Sequence, residues 1–208
     1  MRRIKFFAVT LLLLFFGTTS LVNASITDWS CAPDGDGAIT MSYTNLTLDT
    51  NNGEYLLDMD GKQYWHPAHL AGDFTTSDLL DPKVKILEDV ENDTTFAWTD
   101  YHITIGMNNN TFSIFDPAGL VMPAGWTAVV SAVLPGLMPN GGGPGYVGTI
   151  DYYIGTGAPV AIGNDGTFGF KISFSGNTVF STEQIPTPEP TTIGLLGLGA
   201  LALLRKRK

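Results

Sequence analysis

The 208-residue sequence predicts an all-β chain, an antiparallel β-sandwich of which the jelly roll is one form. Three observations carry this. Between the two ends, apolar and polar residues alternate with a period of two, the pattern of strands buried on one face. The alternating runs are separated at short intervals by Asx-Gly pairs, which favour hairpin turns because both residues tolerate left-handed backbone. No stretch of the middle shows the 3.6-residue apolar period of an amphipathic helix. The expected organisation is a leader over 1–24, one β domain over 25–184, and a C-terminal segment over 185–208.

Taken in order, Ile39 to Tyr43 and Leu46 to Leu48 set apolar residues against hydroxyl-bearing ones. Tyr101 to Ile105 and Thr111 to Phe115 repeat the alternation. Phe168, Phe170, Ile172 and Phe174 place a large apolar residue at every second position. Ala128 to Leu134 reads as a strand because its valines and the following Pro135-Gly136 disfavour a helix. About eight strands are expected. Asp34-Gly35, Asn52-Gly53, Asp60-Gly61, Asn140-Gly141 and Asp165-Gly166 mark the turns. Pro135 to Gly145 holds five glycines and three prolines and reads as a long surface connection. Ile185 to Thr191 reads as a linker.

Charge is distributed unevenly. Seven of the eleven basic residues are Arg2, Arg3, Lys5, Arg205, Lys206, Arg207 and Lys208. The interior keeps four lysines and no arginine against all twenty acidic residues, a balance of −16 compared with −9 for the whole chain. Such a surface repels phosphate backbones, which argues against nucleic acid as a partner. The single cysteine, Cys31, excludes an intramolecular disulfide. Asp28-Trp29-Ser30 before it lacks the small apolar run of a lipid-attachment site, so a free or buried thiol is expected.

The N-terminus has the layout of a secretory signal peptide. Three basic residues precede an apolar run from Phe6 to Phe16, and Val22-Asn23-Ala24 suits signal peptidase, with cleavage between Ala24 and Ser25. The run is shorter than the ~20 residues that span a bilayer. At the other end, Pro186 and the tripeptide Pro188-Glu189-Pro190 precede a Gly- and Leu-rich apolar stretch to Leu204. The chain then stops on Arg205, Lys206, Arg207 and Lys208, which favour the cytoplasmic side and place the preceding residues outside. Proline disfavours helix, so the segment before the apolar stretch is expected to be extended and accessible.

This ordered tail resembles the PEP-CTERM sorting signal, on Pro188-Glu189-Pro190, a transmembrane helix over about 192–204, and the basic stop. The resemblance implies that exosortase, an integral-membrane thiol protease, recognises the tail and cleaves near the tripeptide. It also implies transient inner-membrane anchoring, then transfer to the cell surface or release in bacteria that make exopolysaccharide. Pro188, Glu189 and Pro190 are then substrate residues.

The middle offers weaker signals. His66 and His69 are three apart but separated by Pro67, and read as loop histidines without a site. His102 reads as a strand residue. No Gly-x-Ser-x-Gly elbow is present, and none of the glutamates stands in a catalytic context, so a non-enzyme is expected. Asp34 with Asp36, and Asp58 with Asp60, bring carboxylates two apart next to glycine, the oxygen-rich setting that Ca²⁺ accepts. Neither completes an EF-hand loop. Tyr64-Trp65 is the aromatic pair best placed by its polar neighbours to touch sugar. The resulting expectation is a surface-sorted domain with a structural or adhesive role in an exopolysaccharide matrix. The alternatives are a calcium-assisted carbohydrate-binding module and, behind it, a secreted hydrolase.

Overall fold

The computed structural model describes residues 25–77, 81–115 and 117–188. Twelve strands form among them: β1 (Ile26–Pro33), β2 (Ile39–Asp49), β3 (Glu54–Gln63), β4 (Ala68–Thr76), β5 (Lys83–Asn92), β6 (Trp98–Met107), β7 (Ser113–Ile114), β8 (Trp126–Val130), β9 (Leu134–Leu137), β10 (Pro144–Ile154), β11 (Asp165–Ser173) and β12 (Thr178–Pro188). The expected leader over 1–24 lies outside the described residues. β1 begins two residues past Ala24, the expected cleavage point.

Seven strands form one sheet in the order β1-β4-β12-β6-β10-β8, with β9 also paired to β10; the other sheet runs β2-β3-β5-β11-β7. The two sheets enclose one core. From the seven-stranded sheet come Leu70, Phe74, Ile103, Ile105, Ile150 and Tyr152; from the other come Leu57, Val84, Ile86, Phe168, Phe170 and Ile172. Alternation decides which face each residue takes. In β3, Tyr55, Leu57 and Met59 are buried while Asp60 and Lys62 are exposed. Phe168 sits among the aromatic rings at the centre. It stacks on Tyr101 at 4.2 Å, with Tyr152 at 5.3 Å and Trp126 edge-on at 5.7 Å. Rings offset or edge-on in this way gain beyond their buried area.

Several expectations change: twelve strands form among the described residues rather than about eight, Ala128 to Leu134 is divided between β8 and β9, and Asp165-Gly166 opens β11 instead of turning the chain. Every strand pairing among the described residues is antiparallel except β3 with β5, which is parallel. The cause is topological: the chain leaves β3, runs through the opposite sheet as β4, and returns as β5 beside β3 in the same direction. The connection expected over Pro135 to Gly145 is a hairpin instead, with β9 and β10 paired from Leu134↔Val147 to Pro144↔Leu137. Asn140 and Gly141, at φ 52° and 70°, turn it. The two runs at 39–43 and 46–48 form one strand interrupted by a bulge between Met41 and Tyr43. The Thr111 to Phe115 run keeps only the two residues of β7 as strand.

Asp60-Gly61, expected as a turn, lies inside β3. A Cβ at Gly61 would fall 2.7 Å from the Thr40 carbonyl oxygen and 2.8 Å from the Met41 sulfur. The glycine serves close approach of the bulged β2 rather than a change of direction.

Replacing Phe168 by Ala removes the ring that Tyr101, Tyr152 and Trp126 share, and is expected to cost about 3–5 kcal/mol. Urea denaturation measures it, and a loss under about 1 kcal/mol contradicts this description of the core.

Candidate functional site

The sorting segment does not begin on a free linker. β12 lies inside the seven-stranded sheet, and its pairing with β4 ends at Gln184↔Ala68. Pairing with β6 continues through Ile185↔His102, Pro186↔Tyr101 and Thr187↔Asp100 to Pro188↔Trp98. The expected boundary at 184 is therefore corrected: residues 185–188 belong to the sheet. Pro186 is buried rather than accessible. Proline is tolerated here because beyond Gln184 one edge of β12 has no β4 beside it. Prolines two apart face the same edge, so both missing donors can fall on the open side. Glu189, Pro190, the helix expected over about 192–204 and the basic stop lie outside the described residues. Among the described residues no helix is long and apolar enough to cross a membrane.

Next to this segment a buried polar bridge joins the sheets. Gln184 of β12 donates through Nε2 to both carboxylate oxygens of Glu88 on β5, at 3.1 and 2.9 Å. Its Oε1 accepts the Tyr101 hydroxyl at 3.1 Å, and that hydroxyl also lies 3.0 Å from Gln63 Oε1 on β3. Gln63 Nε2 donates to the carbonyls of Trp65 at 3.0 Å and Gln184 at 3.3 Å. All four side chains are buried. Burial raises the Glu88 carboxyl to about 7, against the smaller lowering effect of the Gln184 amide.

Cys31 sits close to this bridge, its Sγ 3.6 Å from Met59 Sδ. The thiol is free and half-buried, and burial, then the Glu88 charge, pushes it up to about 12. A thiol so raised stays protonated at neutral pH and is a poor nucleophile.

On the outward face of the same sheet, His69 lies on β4 rather than in a loop. Its Nδ1 is 3.2 Å from Asp34 Oδ2, and its Nε2 is 3.3 Å from Glu183 Oε2. Asp34, Asp36 and His69 each offer a ligand atom within 4.8 Å of the others. The carboxylates also order the turn, since Asp34 Oδ1 accepts from the Asp36 N–H at 3.0 Å and Asp36 Oδ1 from the Ala38 N–H at 2.7 Å. That first bond is the main reason the Asp34 carboxyl is held below its usual range. The other expected calcium ligands, Asp58 and Asp60, lie mid-strand on β3 in the opposite sheet, not on a turn and not beside Asp34. A mixed nitrogen and oxygen set suits a borderline divalent ion more than the all-oxygen shell of calcium.

His102 repeats the arrangement on β6, with Nδ1 2.7 Å from Asp151 Oδ1. Its Nε2 is 3.2 Å from Asp100 Oδ1, an oxygen that is not aligned for a hydrogen bond. Burial raises the Asp100 carboxyl, with His102 opposing and Asp151 adding to the shift.

Of the tryptophans, Trp98 and Trp126 are buried and Trp29 packs against the core. Trp65 is 50% exposed and its neighbour Tyr64 36%, in the turn between β3 and β4. His66 packs edge-on against Phe96 beside them. The sequence alone assigns neither His69 nor Glu183 to a site. Their only local signal is strand alternation; His69 meets Asp34 through the pairing of β4 with β1, and Glu183 through the pairing of β4 with β12.

Residues 186–208 match the PEP-CTERM protein-sorting motif. A motif of this kind implies an exported protein, transiently associated with the membrane and sorted to the cell surface by exosortase. No curated protein and no solved structure matches the chain.

The raised Glu88 carboxyl sets a pH dependence. The folded state keeps the Glu88 proton up to about 7 while the unfolded chain releases it near 4.5. Folding therefore takes up a proton between those values, and the Glu88 contribution to stability is full below about 4.5 and is lost as pH rises through about 7. The contribution at stake is about 3 kcal/mol. Glu88→Gln is expected to flatten this slope in urea titrations from pH 4.5 to 8; an unchanged slope contradicts the assignment.

Proposed function

We propose that the chain is an exported, surface-sorted protein whose acidic β domain serves as a structural or adhesive component of an exopolysaccharide matrix. The observation that carries the reading is the sorting motif over residues 186–208, directly continuous with the domain. Signal peptidase removes the leader after Ala24, the tail helix holds the chain in the inner membrane, and exosortase then processes the tail. Two features of the domain fit a hydrated polysaccharide environment. Asp58, Asp60 and Asp89 point outward from adjacent strands, with Asp60 in register with Asp89. Mutual repulsion among such charges favours a hydrated surface that does not self-associate. Exposed Tyr64 and Trp65 offer rings against which a sugar face can stack, a partly apolar contact that leaves the hydroxyls free to bond.

The tail carries the test. In cells that hold exosortase, Glu189→Ala is expected to leave full-length protein in the membrane fraction, whereas the unaltered chain appears at the surface or in the medium. Release of the variant as efficiently as the unaltered chain contradicts the sorting reading.

A further inference from the structure

We propose that the core binds one ordered water molecule between the Thr182 hydroxyl of β12 and the Glu88 carboxyl of β5, as a working part of the polar bridge between the sheets. Three observations meet at one place. A cavity of about 10 Å³ lies against the bridge; Cys31, Glu88, Thr182 and Gln184 bring polar groups to its wall, and the rest of the lining is apolar. Thr182 is only 5% exposed, and its Oγ1 has no hydrogen-bond partner among the described residues. Glu88 is 1% exposed, and among the described residues its two carboxylate oxygens meet a single donor, the Nε2 of Gln184.

A buried hydroxyl without a partner is destabilising, and valine would give the strand the same branched shape without that penalty. Thr182 stands between Leu70 of β4 and Ile105 of β6, on the face of β12 that also carries Gln184. From there its side chain rises perpendicular to the sheet, away from the ladder carbonyls on either side, so the backbone does not supply the partner. An ionised carboxylate accepts up to about four hydrogen bonds, and a protonated one must also donate. One amide nitrogen leaves most of that capacity unmet at a buried position.

The size of the cavity selects the ligand. About 10–15 Å³ is the least volume that admits a water molecule, and the water needs about two to four polar partners. The cavity reaches the lower end of that range, so a single water fits and nothing larger does. Glu88 and Thr182 supply the two partners, with the Cys31 thiol as a weak third. A hard cation would need a full shell of oxygen ligands, which a largely apolar wall does not offer.

The water serves Glu88 in both protonation states. With the carboxyl ionised, the water donates to it and accepts from the Thr182 hydroxyl. With the carboxyl protonated, the carboxyl donates to the water, which donates onward to Thr182 Oγ1. No group in the chain is left unpaired when the proton comes or goes, because the water and the hydroxyl reorient.

Crystal structures at a resolution that shows ordered water, with urea denaturation of the full chain and of Thr182→Val, test this. The expected density places one water within hydrogen-bond distance of Thr182 Oγ1 and a Glu88 carboxylate oxygen, and Thr182→Val is expected to lower the urea midpoint. A dry cavity predicts the opposite sign, since valine then removes an unpaired hydroxyl. No water between the two groups in the unaltered chain, or a Thr182→Val midpoint equal to or above that of the unaltered chain, overturns the inference.

Discussion

The Gln184 side chain fixes where the tail of this protein begins. Its amide lies between the Glu88 carboxyl and the Tyr101 hydroxyl, with Gln63 completing the bridge, so strands from both sheets meet on one polar group. A buried amide or carboxyl left unpaired costs about 1–3 kcal/mol or more, so each of these groups depends on the others remaining in place. A slip of β12 by one residue turns Gln184 outward and brings Glu183 or Ile185 into the bridge position. The bridge thereby sets the register of β12, and the register sets Pro186 opposite Tyr101 and Pro188 opposite Trp98.

That constraint changes the meaning of the domain boundary. Proline-rich segments usually read as linkers because proline donates no hydrogen bond and ends helices. Here the segment is an edge stretch of a strand that is interior a few residues earlier, since β4 accompanies β12 only as far as Gln184. The first three residues of the sorting motif are consequently strand residues of the domain. Of the matched motif, Pro186, Thr187 and Pro188 are placed by sheet pairing.

Much of the fold was legible in the residues themselves. The run from Phe168 to Phe174 announced an amphipathic strand, and Asn52-Gly53 and Asn140-Gly141 announced turns that are present. Alternation could not show that β3 and β5 run parallel, because direction depends on β4 crossing to the other sheet between them. Nor could it separate the two uses of Asx-Gly: Asn52-Gly53 reverses the chain, whereas Asp60-Gly61 lets β2 approach closely. The candidate sites divide in the same way. The tail was readable because its parts are contiguous. Asp34 and Asp36 were readable as a pair, but His69 reaches Asp34, and Glu183 reaches His69, only through strand pairing across long stretches of sequence. Glu88 looked like one member of a solvated acidic run. Strand alternation places it alone of Glu88, Asp89 and Glu91 in the core, where its proton becomes part of the stability of the fold.

The central claim is that the domain extends into the sorting signal, and amide hydrogen exchange on the full-length protein tests it most directly. Ile185 and Thr187 carry the only backbone N–H groups between Gln184 and Glu189. The account predicts that both exchange slowly, in step with the amides of Thr182 and Gln184 in the same strand. Exchange at the rate of an unstructured peptide at Ile185 and Thr187, with Thr182 still protected, contradicts it and returns the segment to the status of a linker.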